Sequence, residues 1–236
     1  MSIAENFEVI ADAVYKKGKK DEYDAFWDTF QSKGTRVNYQ NGFSGSGWNN
    51  TTFRPKYDIK PTNNASSMFQ QTKVKDLTNL LKNCGVTLDT SKATSLLSLF
   101  YFATDITNIP VIDATGTTAS SALTTAFNNC SKLKTIEKLI LKDDGSQSFD
   151  NTFGVCSALE NIVIEGKIGQ NGFKVSGSTK LTKNSLLEIL KALSLDITTT
   201  KTITFSTAHQ TVIETDEDCK PYWQAAKDAG WSFVYA

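Results

Sequence analysis

Apolar residues recur with a nearly constant step in the middle of this chain. Two segments match at positions 26 residues apart, namely Phe127, Cys130, Leu133 and Ile136 in the first and Phe153, Cys156, Leu159 and Ile162 in the second. A looser copy lies 27 residues upstream, at Phe100, Ala103, Ile106 and Ile109, and a degenerate one precedes it at Phe69, Thr72 and Leu77. A fixed period of this length is typical of proteins whose repeats stack. The pattern therefore predicts a stacked repeat fold and favours a binding surface over an enzyme pocket.

Each repeat is predicted to contain a short helix followed by a strand. Apolar residues have helical spacing within Ser121–Asn129, and the chain is then expected to be extended as far as Leu141. In the next repeat the strand is predicted within Leu159–Glu165. Its apolar residues alternate with polar ones, which predicts that Ile162 and Ile164 face the core.

A single repeat cannot bury its apolar face alone, so neighbouring repeats are expected to stack. Phe127 is then predicted to pack between Phe100 and Phe153. The position of Cys130 and Cys156 is occupied by alanine in the earlier copy, which favours two small buried free thiols. A disulfide between them is the alternative, because adjacent parallel strands lie about 4.8 Å apart.

Two helices are predicted at the start of the chain. A Ser2-x-x-Glu5 capping box precedes the first, which is expected to end near Gly18 beside a run of lysines. The lysine run indicates either a solvated helix end or an anion-binding patch, and the first is favoured. A second helix is predicted over Lys20–Ser32. Its aromatic residues share one face and are Tyr23, Phe26, Trp27 and Phe30.

The segment Thr35–Pro61 is predicted to be an ordered loop, because it is rich in glycine and asparagine yet carries large aromatic residues. The expected anchors of this loop are Phe43, Trp48, Phe53 and Tyr57. Packing of these rings in the core is favoured. An exposed aromatic platform for sugars, made of Trp48, Phe53 and Tyr57, is the alternative.

Two helices and two strands are predicted after the repeats. Thr182 is a suitable N-cap for an apolar helix, and Lys201–Ser206 and Trp231–Tyr235 have the pattern of strands. The second helix is predicted over Thr215–Ala229, capped by its first residue, with acidic residues in its first turn and Gly230 after its end. This region is expected to cover the open end of the last repeat.

The charge balance argues against nucleic acid as a partner. Lys plus Arg and Asp plus Glu both number 25, so the net charge is zero, whereas nucleic-acid binders carry a basic excess or patch. The longest apolar run, Leu96–Ala103, is too short to cross a membrane. Met1–Lys20 lacks the basic head and apolar stretch of a secretory signal. We therefore expect no membrane insertion, and synthesis in the cytoplasm.

No residue pattern predicts a catalytic, cofactor or metal site. The single histidine, His209, has no ligand or nucleophile pattern around it. The acidic run Asp216–Asp218 lacks the alternate spacing of a calcium loop and suits a helix start better. The segments Gly45–Gly47 and Asp143–Gly145 indicate turns rather than a phosphate loop or a carboxylate pair. We therefore expect a protein that is not an enzyme.

The repeated phrase Phe-x2-Cys-x2-Leu-x2-Ile resembles the BspA-type leucine-rich repeat over about Leu96–Ile164. This resemblance implies an α/β fold, a short irregular solenoid of a few turns with a parallel β-sheet on one side. The chain departs from the commoner repeat by having an Ile-Pro step only at Ile109-Pro110. The expected division is an N-terminal helical and loop module at residues 1–61, the leucine-rich-repeat solenoid at residues 62–178 and a C-terminal cap at residues 179–236.

The segment Met1–Pro61, especially its stretch GWNNTTFRPKYDIKP, resembles an N-terminal module of phage and prophage structural proteins. The two resemblances imply a phage-derived or gut-bacterial protein that binds a protein or a glycan without catalysis, on a virion or a bacterial surface. The alternatives are a hydrolase of cell-wall glycans, which would need two facing carboxylates, and a purely structural virion subunit. The predicted exposed positions of the repeat sheet are Asn108, Thr135, Glu137, Asn161, Val163 and Glu165. A shift of one residue would expose the opposite set.

Overall fold

The computed structural model describes residues 20–236, so the first predicted helix, from Ser2 to Gly18, lies outside the described residues. The helices are α1 (Lys20–Phe30), α2 (Leu77–Cys84), α3 (Lys183–Ala192), α4 (Gln210–Thr215) and α5 (Lys220–Asp228). The strands are β1 (Asn108–Ile109), β2 (Ile112–Asp113), β3 (Thr135–Ile140), β4 (Asn161–Glu165), β5 (Lys201–Phe205) and β6 (Trp231–Tyr235). β1 to β4 form one small parallel sheet and β5 and β6 another. The fold is therefore of mixed α/β type.

A column of buried phenylalanine rings runs through the core. Its rings belong, in order, to Phe43, Phe69, Phe100, Phe127, Phe153 and Phe173. The ring centroid of Phe127 lies 5.9 Å from that of Phe100 and 5.4 Å from that of Phe153, which confirms the predicted packing. Phe43 and Phe173 add one ring at each end and were not part of the predicted pattern.

A ladder of backbone hydrogen bonds joins the turns of this column from Phe43 to Phe153. The N–H groups of every second residue over 96–102 donate to carbonyls over 122–128, with N···O distances of 2.7–3.1 Å. The same pattern joins residues 39–45 to 64–70 and residues 65–71 to 95–101. In every bond of this ladder, the donor lies on the earlier turn and the acceptor on the later one.

The short helix predicted over Ser121–Asn129 is wrong. One turn of 3-10 helix covers Ser120–Leu123, and residues with positive φ follow at Thr125 (53°) and Asn129 (61°). The N–H groups that an α-helix would use internally are directed at the neighbouring turn instead, since Phe127 donates to the carbonyl of Thr152 at 2.9 Å. An α-helix and this series of tight turns would bury the same apolar positions, so the spacing alone does not distinguish the two.

The strands of the larger sheet confirm the predicted extended segments. Ile109, Ile136 and Ile162 lie side by side on β1, β3 and β4 and are buried. The register then shifts, because β3 has one residue more than β4 before the next buried position, where Leu139 lies opposite Ile164. The shift keeps both rows of apolar side chains in the core.

The segment Thr35–Pro61 is an ordered loop, as predicted, and side chains of α1 and of Gln31, the residue after it, hold it. The Gln31 side-chain amide donates to the carbonyl of Tyr57 at 2.8 Å and accepts the N–H of the same residue at 3.0 Å. The Tyr57 hydroxyl donates to Asp28 Oδ1 at 2.6 Å. Trp48 and Phe53 are buried, so the exposed sugar platform proposed as an alternative is wrong.

The predicted elements α3, β5 and β6 are confirmed, and α3 packs beside the last strand of the larger sheet. Thr182 caps α3, because its hydroxyl accepts the N–H of Ser185 at 3.3 Å. The Ser185 hydroxyl donates to the carbonyl of Glu160 and accepts the N–H of Ile162, each at 3.0 Å. These bonds satisfy backbone groups at the free side of β4.

The helix predicted over Thr215–Ala229 is wrong in its first part. Thr215 is the last residue of α4, a helix that was not predicted, and the Asp216 carboxylate accepts N–H groups of the following turn. α5 begins only at Lys220, with Pro221 in its first turn. Proline favours that position because it has no N–H to satisfy there.

The apolar core is continuous across the expected divisions at residues 61 and 178. Phe43 and Phe69, on either side of the first division, stack with a centroid separation of 5.3 Å. The division into three parts stays a prediction.

Candidate binding surface

The exposed face of the larger sheet carries polar side chains in register. Asn108, Thr135 and Asn161 lie side by side on β1, β3 and β4. Asp76 adjoins Asn108 and its Oδ2 accepts the Asn108 side-chain amide at 2.9 Å. At the other end the Thr182 hydroxyl donates to Asn161 Oδ1 at 3.3 Å. We call these five residues the polar row.

The predicted facing of the strands is confirmed. Glu137, Asn161, Val163 and Glu165 are exposed and Asn108 and Thr135 are partly buried, whereas the isoleucines between them face the core. Beside the polar row, Val163 leaves 41% of its surface exposed. Lys138 and Glu165 form an ion pair at 2.9 Å on the same face. This face therefore offers neutral polar, charged and apolar groups together.

A cleft of about 260 Å³ opens at the Asp76 end of the polar row. Its lining residues are Asn50, Arg54, Asp76, Asn79, Leu80, Asn83 and Cys84. This cleft was not predicted from the sequence, because its first two residues belong to the loop Thr35–Pro61 and the others to α2 and its cap. The sequence signal that was available is the polar pair Asn79 and Asn83, spaced four apart on one helix face.

The hydrogen bonds of the cleft leave donors available to a ligand. Both carboxylate oxygens of Asp76 are engaged, since it accepts the backbone N–H and the side-chain amide of Asn79 at 2.9 and 2.7 Å as well as the amide of Asn108. Arg54 donates to the carbonyl of Phe53 at 2.8 Å, and no carboxylate of residues 24–236 pairs with it. A guanidinium has five N–H donors, so this cleft can bind an acceptor-rich polar group.

The cysteines differ in burial and therefore in chemistry. Cys130 and Cys156 are buried free thiols, which is the favoured prediction. Burial raises the pKa of Cys156 to about 12. Burial also raises the pKa of Cys84, although the nearby Arg54 cation opposes that effect and the residue is partly exposed in the cleft.

We expect a thiol reagent to label Cys84 alone in the folded protein. Cys130, Cys156 and Cys219 are buried, so the reagent cannot reach their thiols, whereas Cys84 is partly exposed in the cleft. Mass spectrometry after iodoacetamide treatment should show one label on the native chain and four after unfolding. Cys84→Ser is the control and should show none before unfolding. Fast native labelling of Cys130 or Cys156 would contradict this placement.

The candidates for a metal or catalytic role that the sequence offers lie in structural surroundings. The described residues contain no group of His, Cys, Asp and Glu side chains that could hold a metal ion. His209 is buried, with its Nε2 2.9 Å from the carbonyl oxygen of Ser178. The acidic run is paired instead, since Lys183 Nζ lies 2.9 Å from Asp216 and 2.8 Å from Asp218.

The carboxylates of the cleft do not fit the glycan-hydrolase alternative. Hydrolysis of a glycosidic bond generally uses two facing carboxylates, and Asp76 is the single carboxylate among the lining residues described. The segments 45–47 and 143–145 form turns or bends, as predicted. Asp76 alone does not supply the pair of carboxylates that this chemistry uses.

Comparison with known proteins assigns no family. No family model, no curated protein and no solved structure matches this chain. Across residues 20–236, every helix is too short or too polar to span a lipid bilayer. Support for the candidate surface therefore comes from the geometry of the described residues alone.

Proposed function

We propose that this chain is a non-enzymatic binding protein of the BspA-type leucine-rich-repeat class, which presents the exposed sheet face to a protein or glycan partner. The observation that carries the proposal is the polar row, in which Asn108, Thr135 and Asn161 stand in register over a buried row of isoleucines. Its continuation into the cleft at Asp76 supports the same surface.

The repeat class is supported by the column of rings and its ladder. Phenylalanines spaced 26 or 27 residues apart in the sequence stack directly, and backbone hydrogen bonds join the turns that carry them. Stacking of units that bury a common face is the defining feature of a solenoid. The association with a virion or bacterial surface follows from the resemblance of Met1–Pro61 to phage structural proteins.

The chemistry of the surface favours a hydroxyl-rich or peptide partner. Amide and hydroxyl side chains both donate and accept hydrogen bonds, and those of the polar row recur at the spacing of parallel strands, about 4.8 Å. A ligand with regularly spaced polar groups can meet several of them at once. Arg54 in the cleft adds a donor group for an acceptor-rich end of such a ligand.

The double variant Asn161→Lys with Val163→Lys tests this proposal, because it adds two long cations to the exposed face. The matched control is Ser232→Lys with Val234→Lys, which adds two lysines at the same spacing on another five-residue strand. Val163 and Val234 are each 41% exposed, so both double variants should fold. Ligands are first found with glycan arrays and pulldowns from bacterial host cells.

The face variant is expected to bind the ligand so found with an affinity weaker by on the order of tenfold or more, about 1.4 kcal/mol, measured as a Kd in solution. The control variant should retain the Kd of the unmodified chain. An empty array together with an empty pulldown would refute the proposal. So would a face variant that binds as tightly as the unmodified chain.

A further inference from the structure

The smaller sheet ends in a strand with an open edge. β5 and β6 are parallel, with Ile203 opposite Phe233. The other side of β5 is occupied, because Thr204 bridges to Lys174. No strand of residues 20–236 pairs with the far side of β6. The Trp223 ring of α5 lies 6.3 Å from the Phe233 ring and covers one face of the strand, whereas Val234 on the opposite face is exposed.

The backbone groups on this open edge follow from the hydrogen bonds on the paired side. The N–H of Ala236 donates to the carbonyl of Phe205 at 3.0 Å, so the even-numbered residues of β6 face β5. Alternate residues of a parallel strand direct their N–H and C=O groups to opposite sides. The N–H and C=O groups of Trp231, Phe233 and Tyr235 therefore face outward, and no backbone group of residues 20–236 outside this sheet bonds to them.

The edge lacks the features that usually prevent pairing. Proteins protect exposed edges with charged residues, proline or bulges. β6 has the sequence Trp-Ser-Phe-Val-Tyr, which contains no charge and no proline, and its register with β5 is unbroken. Aromatic and β-branched residues of this kind also favour strands. Such an edge is suited to receive another strand.

We propose that β6 pairs with β6 of a second copy of this chain, antiparallel and across a two-fold axis that passes beside Phe233. The outward residues are placed symmetrically about Phe233, so the same three residues of each copy supply matching donors and acceptors. Phe233 then lies opposite its own counterpart, and Trp231 lies opposite Tyr235. Ser232 of one copy faces Val234 of the other at the close, non-hydrogen-bonded positions.

The charges near the two ends of β6 favour this arrangement. Lys201 is paired with Trp231 at one end. Glu214 is close enough to Tyr235 at the other end to interact electrostatically with its hydroxyl. An antiparallel pair places the basic end of each copy beside the acidic end of the other. Lys201 lies on β5, one strand away from the open edge, so this attraction acts across the width of β6, and the edge strand itself carries no charge.

Light scattering coupled to size-exclusion chromatography tests the proposal on the full chain. The chain has a mass of 25.9 kDa, and the measured mass is expected to rise toward twice that value as protein concentration increases. Ser232→Lys with Val234→Lys should keep the mass at that of one chain, because the two lysines of each copy would face those of the other. Asn161→Lys with Val163→Lys should still dimerise.

A charge-pair variant separates edge pairing from a general loss of fold. Ser232→Glu with Val234→Lys places an acid opposite each introduced lysine, so dimerisation is expected to return. A chain that stays monomeric at every concentration would overturn the proposal, and so would a dimer that survives the two-lysine edge change. Failure of this proposal is distinguishable from failure of the proposed function. The double lysine variant of β6 is expected to change the mass and keep the ligand affinity. The double lysine variant of the sheet face is expected to change the ligand affinity and keep the mass.

Discussion

Phe127→Ala is expected to lower the free energy of unfolding by about 3–5 kcal/mol, the usual range for removing a buried aromatic ring. The ring is completely buried and is stacked on Phe100 and Phe153. The cavity left behind cannot close easily, because the backbone ladder on both sides fixes the distance between turns. Urea unfolding followed by circular dichroism measures the change.

Phe102→Ala is the matched control for the ring in the column. Phe102 leaves 41% of its surface exposed and lies outside the column, and its ring contacts that of Tyr101 edge to face at a centroid distance of 4.6 Å. Its replacement is therefore expected to lower the free energy of unfolding by only about 0.5–1.5 kcal/mol. Its positive φ of 57° is as unfavourable for alanine as for phenylalanine, so the backbone contribution stays constant. Equal losses from Phe127→Ala and Phe102→Ala would contradict the central role of the column.

Gly166→Ala is expected to be the most damaging of the glycine substitutions near the larger sheet. Gly166 follows β4 with φ of 88°, and a Cβ atom there would lie 2.2 Å from the carbonyl oxygen of Leu141. The left-handed backbone costs about 1–2 kcal/mol and the overpacking about 1–3 kcal/mol. Alanine should therefore lower the free energy of unfolding by about 2–5 kcal/mol in total.

Gly85→Ala separates the two causes. Gly85 ends α2 with φ of 68°, but no atom lies within 4 Å of the position a Cβ would take. Its replacement should cost only the backbone contribution, about 1–2 kcal/mol. The same urea titration compares both variants. If Gly166→Ala is no worse than Gly85→Ala, the close approach between the turns after β3 and β4 is not tight in solution.

The column of rings was predictable where the repeat phrase kept its chemistry. Phe100, Phe127 and Phe153 stand out because an apolar residue follows each at the same spacings. Phe43 lies 26 residues before Phe69, yet Ser46, Asn49 and Thr52 occupy the three positions where the phrase has apolar residues, so the phrase is not recognisable. Phe173 follows Phe153 by only 20 residues, which breaks the period. The stacked phenylalanine ring is therefore retained in turns where the other positions or the spacing of the phrase are lost.

The exposed strand positions were predictable, whereas the cleft was not. Alternation along β4 places Ile162 and Ile164 inside and Val163 outside, because successive side chains of a strand point to opposite faces. The cleft joins Arg54 of a loop to Asn79 of a helix, and no local pattern relates residues so far apart. The turns around the rings were not predictable for another reason. Their backbone N–H groups donate to carbonyls of the next repeat, and a local sequence pattern does not show bonds between repeats.

The one-way ladder gives the column an electrical polarity. Each peptide group carries a dipole of about 3.5 D. The ladder aligns such groups across successive turns, and its bonds outnumber those that run the other way at its edge, from Thr62, Thr94, Thr118 and Ser148. The first turn, near Tyr39, is then the partially negative end, and the last, near Asn151, the partially positive one. The Arg36 guanidinium lies 5.2 Å from the Tyr39 ring centroid, and Asp150 adjoins Asn151, so each end carries the charge that this field favours.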